Sequence, residues 1–543
     1  MTMQFAPSFD PGGEPADSLV AAMFDAIRGS ADRIVTRRDI EAAIEQTGVL
    51  LSDPRIRETA QALKGLTDLE PIDERGFAAL VHPANVFLLH RALRGDLVIP
   101  DFPQFKARLA SIFHFVRDYR QGEVASYIPQ LARVDPEHYA MAVCTVDGQR
   151  FGLGDDDERY CVQSTCKPIN YAIALDSLGP QTVHSHVGRE PSGRSFNELT
   201  LNGRGLPHNP MINAGAIMCA SLIKPQAPLA DRFDYVTSVW KSLAGNERVG
   251  FDNSVYLSEK DTADRNFALA YFMREANAFP PKTDIMAALD LYFQTCSLTV
   301  TARQMAVVAA TFANGGICPL TSKAVFSAAT TKNCLSLMYS CGMYDFSGEY
   351  AFTVGLPAKS GVSGSLFIVV PGVCGIAIWS PRLDKLGNSV RGVEFSKRLV
   401  ETFPFHTYAN MVADSHLSDP RRTETASAVE PAFLMCAAAS RGDLSELRRL
   451  IAKKIDIDSA DYDGRTALHL AACEGHGEVL RFLLDHGAAP APKDRWGNTP
   501  LDDARRCGHA AAEALLVLAT ETGAGDVAAG ADAAPKRRSR AAG

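Results

Sequence analysis

Three glycines, Gly442, Gly475 and Gly508, stand 33 residues apart near the C-terminus, and the segments around them repeat. "LMCAAASRGDLSELRRLI", "TALHLAACEGHGEVLRFLLDHGA" and "TPLDDARRCGHAAAEALL" each place small and apolar residues at helical spacing, break at glycine, and resume. One such helix–turn–helix unit cannot bury its own apolar face. Stacked on its neighbours it can, so the period dictates a one-dimensional array over residues 431–520. The period is absent upstream, and at 543 residues the chain is too long for a single core. Other domains must precede the array, roughly three or four in all.

The repeat, with "TALHLA" and "TPLDDA" opening two units, resembles ankyrin repeats. His469 is then expected to hydrogen-bond neighbouring turns rather than to hold a metal. Residues 17–110 read as helical: "DSLVAAMFDAIRG" stops at glycine, and "TRRDIEAAIEQTG" opens on the capping residue Thr36. Helix pairs of this kind are EF-hand-like, but the loops lack the calcium-binding D-x-[DN]-x-[DN]-G pattern, so no calcium is expected. Residues 111–410 mix patterns. "YAMAVCTVDGQRFGLGD" reads as a hairpin about Asp147-Gly148, and "LDLYFQTCSLTVTARQMAVVAATFANGG" as long helix. "YAFTVGLPAKSGVSGSLFIVVPGVCGIAIWS" reads as three strands. Hairpin, helices and strands in that order describe an α+β domain with helices packed on an antiparallel sheet. The polar, apolar-poor stretch 411–430 reads as a linker, and 1–16 and 521–543 as disordered ends.

The chemistry centres on "YCVQSTCKPINYAIAL". Ser164 and Lys167 are three residues apart at the start of an apolar helical run, with Pro168 tolerated in its first turn. Ser-x-x-Lys alone is weak, since Ser221–Lys224 and Ser238–Lys241 repeat it. Position separates them. A serine at a helix start lies in front of backbone N–H groups, and a lysine one turn on shares its face. A desolvated lysine loses its proton more easily and can then take the serine proton. "GLPAKSGVSG" adds Lys359-Ser360-Gly361 at the start of a strand. Serine β-lactamases and penicillin-binding proteins join S-x-x-K to K-[ST]-G in this order. Gly361 would let substrate lie close to the strand, with a backbone N–H beyond it for an oxyanion hole.

The longer motifs "YIPQLARV", "CVQSTCKP", "EPSGRSFN", "PHNPMINAGAI", "DRNFALAYF", "SCGMYDFSGEYAF" and "GLPAKSGVSG" resemble those of the serine-dependent glutaminases of β-lactamase/transpeptidase-like fold. The layout of helical N-domain, catalytic domain and ankyrin repeats is similar to the kidney- and liver-type enzymes. The resemblance implies hydrolysis of L-glutamine to L-glutamate and ammonia through a γ-glutamyl-serine ester. It implies Ser164 as nucleophile and Lys167 as its base, with Tyr344 shuttling a proton. Tyr127 and Gln163 would line the pocket, and Val362 would supply an oxyanion N–H beside that of Ser164. Asn213, Glu259, Asn266 and Tyr292 would hold the substrate's α-amino-acid end. That role makes sense: an ammonium wants the Glu259 carboxylate, and a carboxylate wants the neutral donors Asn213, Asn266 and tyrosine hydroxyls. The resemblance further implies no cofactor, phosphate as an activator, and a homotetramer joined through Phe312–Phe326 that assembles into filaments. A protein partner at the repeats is also expected. A β-lactam hydrolase shares the two short motifs, but Glu259 and Asn266 suit a free amino acid. A scaffold with an inactive domain predicts a lost nucleophile, base or oxyanion strand, and none is lost.

The net charge of -8 gives no reason to expect nucleic-acid binding, and the short basic run at Lys536–Arg540 reads as a solvated tail. Apolar runs reach only about ten residues, too few for a membrane span. The N-terminus has no basic n-region followed by an apolar stretch, and no Arg-rich character, so neither a signal nor a transit peptide is expected. Twelve scattered cysteines without a C-x-x-C are the usage of buried thiols in a reducing compartment. A cytoplasmic, bacterial member is the expectation.

Overall fold

The computed structural model describes residues 16–30, 32–193, 198–411, 417–422, 424–452 and 455–526. Most of the two expected disordered ends, part of the linker, and the second half of "EPSGRSFN" lie outside the described residues. Two compact units are present: the chain up to Ala409 with 416–421, and the remainder.

The first unit opens with helices Ala16–Arg28, Arg37–Gln46, Arg57–Lys64, Glu74–Leu80 and Val86–Leu93. They close around Met23, Phe24, Ile40, Ile44, Phe77 and Leu89. Thr36 caps its helix as read, and Asp39 returns the bond in a capping box. Val35–Thr36 and Pro71–Ile72 pair antiparallel between the helix pairs. The next helix, Phe102–Val116, crosses the expected border at 110/111. Its Phe105, Leu109, Ile112 and Phe113 join the core of the following domain, with Phe403 against Phe105. The helical domain therefore ends nearer residue 100, because this helix is apolar on the face that covers a sheet.

That sheet has five strands: β1 (Ala140–Thr145), β2 (Arg150–Gly154), β3 (Ala358–Ser360), β4 (Ser365–Val370) and β5 (Cys374–Trp379). Its order is β2-β1-β5-β4-β3, antiparallel throughout. β1, β4 and β5 are buried on both faces. Met141, Val143, Leu366, Ile368, Ile376 and Ile378 meet helices Phe102–Val116 and Val390–Thr402. On the other face Ala140, Ala142 and Ala377 are small, and helix Ala302–Ala313 lies close against them. Gly375 sets that distance: a Cβ there would sit 2.2 Å from Ala310 N and 2.4 Å from Ala309 C. Helix backbone cannot retract as a side chain can, so Gly375→Ala is expected to destabilise the domain by about 3 kcal/mol. A lowered midpoint of thermal unfolding reads this out.

The run read as one long helix is two, Ile285–Cys296 and Ala302–Ala313, divided by strand Leu298–Val300. The β-branched "TVT" favours extension, and Thr301 with Gln304 forms a capping box that restarts the helix. The inserted strand pairs with Tyr160–Cys161 on one side and Gly250–Phe251 on the other. It thereby anchors the segment that leads into Ser164.

In the second unit, helix Glu424–Ser440 begins inside the stretch read as linker, and Ala510–Asp526 runs past 521. Between them lie Leu444–Ala452, Ala467–Glu474, Gly477–Asp485 and Pro500–Cys507. Gly475 and Gly508 end their helices in the left-handed conformation, at φ 71° and 77°. His469 Nδ1 accepts from Thr466 N–H at 3.1 Å, and its Nε2 donates to Asn498 O at 3.2 Å in the next repeat. Among the described residues no helix is long and apolar enough to cross a membrane.

Candidate active site

Gln163–Cys166 form a single 3-10 turn that runs into helix Lys167–Val183. Val162 N–H donates to Leu298 O at 2.8 Å, and Thr165 returns its N–H and hydroxyl to Val162 O. Gln163 sits at φ 48°, a left-handed conformation that non-glycine residues rarely adopt. The surrounding bonds hold this strained turn, a common device for fixing a reactive side chain.

Lys167 Nζ donates to Ser164 Oγ at 2.6 Å and to Asn213 Oδ1 at 2.9 Å. The lysine is 1% exposed. Burial pulls its pKa below the ordinary lysine value, which favours the neutral amine a base requires. Asn213, first residue of helix Asn213–Leu222, does not cap that helix. Its amide spans the site, and Nδ2 donates to Asn266 Oδ1 at 3.2 Å. Tyr292, on helix Ile285–Cys296, lies with its ring centroid 5.9 Å from Lys167 Nζ.

A second arm runs from Gln163. Its Nε2 donates to Glu259 Oε1 at 2.9 Å, and the Tyr127 hydroxyl donates to the same oxygen at 2.6 Å. Glu259 is buried, and desolvation raises its pKa against the opposing effect of these two donors. Tyr127 is 48% exposed, yet its hydroxyl turns inward, so its ring forms part of the rim.

Tyr344 opens a short 3-10 turn at φ 54°. Its phenol is buried beside the Ser164 side chain; burial drives its pKa up, and the serine partly offsets this. Beneath the ring, 4.5 Å from its centroid, lies Lys359 Nζ, which donates to Gly342 O at 3.0 Å and Ser360 O at 2.8 Å. Burial, reinforced by the charge of Lys167, holds the Lys359 pKa well below the ordinary value.

Gly361 serves a close contact within the chain itself. A Cβ on it would meet Val162 O and Ser365 Oγ at 3.0 Å and Thr165 Cγ2 at 3.3 Å. The glycine thus lets β3 approach the Ser164 turn. Val362 follows it and packs on Ile128, Leu131, Cys161 and Val255 beside that turn. Of the ten side chains singled out in the sequence, nine fall into the Lys167 and Glu259 networks or directly against Ser164. Val362 lies beside them, its side chain packed against the cluster that flanks the turn. Lys359 was legible only as a strand motif; nothing in its spacing from Tyr344 announced that it lies under that ring.

An antiparallel sheet whose K-S-G strand closes on a Ser-x-x-Lys turn defines the class of β-lactamase-like enzymes. The glutaminase profile matches residues 122–408, flanked by an EF-hand domain at 19–100 and ankyrin repeats at 434–526. The chain belongs to the glutaminase family and is a glutamine-hydrolysing enzyme. It is 46% identical over 499 residues to the mitochondrial liver isoform of glutaminase from Rattus norvegicus, covering 91% of this chain and 83% of that protein. It is 46% identical over 483 residues to a putative glutaminase 2 of Caenorhabditis elegans, covering 85% and 79%. A solved structure described as probable glutaminase ybaS superposes with a TM-score of 0.53 at 37% identity, over 55% of this chain and 97% of that one.

Proposed function

We propose that Ser164 is the nucleophile and Lys167 its general base in a two-step hydrolysis of L-glutamine. The observation that carries this reading is the 2.6 Å contact between Lys167 Nζ and Ser164 Oγ in a site that excludes water from the lysine. Neutral Lys167 takes the hydroxyl proton as Oγ attacks the side-chain carbonyl carbon. The oxyanion is held by the N–H groups of Ser164 and Val362. Tyr344 relays a proton to the departing ammonia, leaving a γ-glutamyl ester on Ser164. Water, deprotonated by the same base, then releases glutamate.

The α-amino-acid end is held by the other residues. With Oε1 of Glu259 engaged by Tyr127 and Gln163, Oε2 receives the substrate ammonium. Asn213, Asn266 and the Tyr292 hydroxyl serve the carboxylate. No metal or organic cofactor enters these steps. We further propose phosphate as an activator and a tetramer joined through Phe312–Phe326, whose two end rings pack 5.8 Å apart. Filaments and a protein partner at the repeats belong to the same reading. A reducing, cytoplasmic setting is supported by the ten buried free thiols.

Hydroxylamine tests the ester. It competes with water for an acyl-enzyme, so γ-glutamyl hydroxamate is expected to form from L-glutamine in proportion to hydroxylamine. Ammonia release with no hydroxamate at saturating hydroxylamine would mean direct attack by water, and Ser164 would lose its role.

A further inference from the structure

Ten of the twelve cysteines are buried; the two that are not, Cys473 and Cys507, lie against each other. Their Sγ atoms are 3.2 Å apart. The arrangement follows from the repeat stack. Cys473 lies in the last turn of helix Ala467–Glu474, and Cys507 ends the packed helix Pro500–Cys507 of the next repeat. The same two repeats are tied by Arg465, which donates to Asp503 Oδ2 at 2.7 Å and whose charge acts on Cys473. The glycine after this turn is pinned as well: a Cβ on Gly475 would meet His509 Nδ1 at 2.6 Å. The sulfurs are thus held by helix packing, and about 1 Å of closure brings them to bonding distance.

Charged groups of both signs surround the two thiols. Arg505 and Arg506 precede Cys507, and Arg465 flanks Cys473. Arg505 Nε pairs with Glu513 Oε1 at 2.9 Å, and Arg506 and Arg465 share Asp503. Asp502 interacts with Arg505 and Glu474 follows Cys473, so the guanidinium groups are matched by carboxylates around an exposed thiol.

We propose that Cys473 and Cys507 are a dithiol modification site, which a low-molecular-weight disulfide of the glutathione class converts to a cystine joining consecutive repeats. The exposed Cys507 thiolate attacks one sulfur of glutathione disulfide. One glutathione leaves as thiolate and takes up a proton, and a mixed disulfide remains on Cys507. Cys473, whose burial holds its thiol pKa up while Arg465 favours the thiolate, then attacks Cys507 Sγ and expels the second glutathione. Two protein thiols are oxidised, one glutathione disulfide is reduced to two thiols, and both protons pass to them. The other ten cysteines are buried, so exchange stops there.

The test uses the full chain treated with glutathione disulfide. The expected product has lost two hydrogens, carries no glutathione, and gives a Cys473–Cys507 cross-linked peptide on non-reducing digestion. Titratable thiols in denaturant fall from twelve to ten, and dithiothreitol restores them. Cys507→Ser forms no cystine and keeps wild-type glutamine hydrolysis, since neither thiol lies in the catalytic unit. Cys473→Ser instead accumulates a stable glutathione adduct on Cys507. A stable adduct on the wild type, no reaction, or a cross-link between other cysteines overturns the proposal.

Discussion

Ser164→Ala is expected to lower kcat for ammonia release from L-glutamine by at least about 10⁴-fold with little change in KM. The substitution removes the proposed nucleophile but leaves the hydrogen-bonded Glu259–Tyr127–Gln163 arm, proposed to hold the amino-acid end. Lys167→Met should lose about as much, because an unactivated serine hydroxyl is a poor nucleophile. The two side chains act as one unit, so the double variant should be no worse than either single one. The pH dependence follows from burial. Lys167 works as a base only when neutral, and its lowered pKa makes that form available at lower pH than for a free lysine. Activity of the wild type therefore rises with pH through the Lys167 pKa. The residual rate of Lys167→Met should lack that rise. Initial rates across pH, with circular dichroism to check folding, decide it. A Lys167→Met enzyme within tenfold of wild type would remove the lysine from the proton path.

Glu259→Gln is expected to reduce kcat/KM for L-glutamine by about 10²–10³-fold, the size of losing one partner of a buried charge pair, about 3–4 kcal/mol. Glutamine retains the shape but cannot neutralise an ammonium. The sign with pH is fixed by the raised pKa of the free Glu259 carboxyl. As pH falls through that pKa, the acid protonates and kcat/KM falls; Glu259→Gln should abolish this acidic limb. A glutamine analogue without the α-amino group supplies the discriminating measurement. The wild type should reject it strongly, and Glu259→Gln should discriminate far less. Equal discrimination by both enzymes would place the ammonium elsewhere.

Much of this architecture was legible because it rests on local rules. The capping Thr36, the hairpin about Asp147-Gly148, strands Ser365–Val370 and Cys374–Trp379 and the left-handed glycines of the repeats are all set by neighbours within a few residues, whereas Tyr350–Thr353, at the start of the stretch read as strands, ends a helix. Reading failed where a decision was made at a distance. Strand Leu298–Val300 looked helical because its period is too short to detect, and it exists because Tyr160–Cys161 and Gly250–Phe251 flank it. The expected border at 110/111 falls inside helix Phe102–Val116, because its apolar face does not say which core it covers.

By itself, the chain's order of residues determined the repeat array, the α+β class and which side chains gather at the candidate site. Motif and period are short-range properties, and they survive in one dimension. The tertiary structure alone decided that Lys167 is dry, that Glu259 meets Tyr127 across 132 residues of sequence, and that Lys359 lies beneath Tyr344. It also decided that the two accessible thiols touch. Desolvation and charge pairing depend on what surrounds a group in space, and that is settled only when the elements pack.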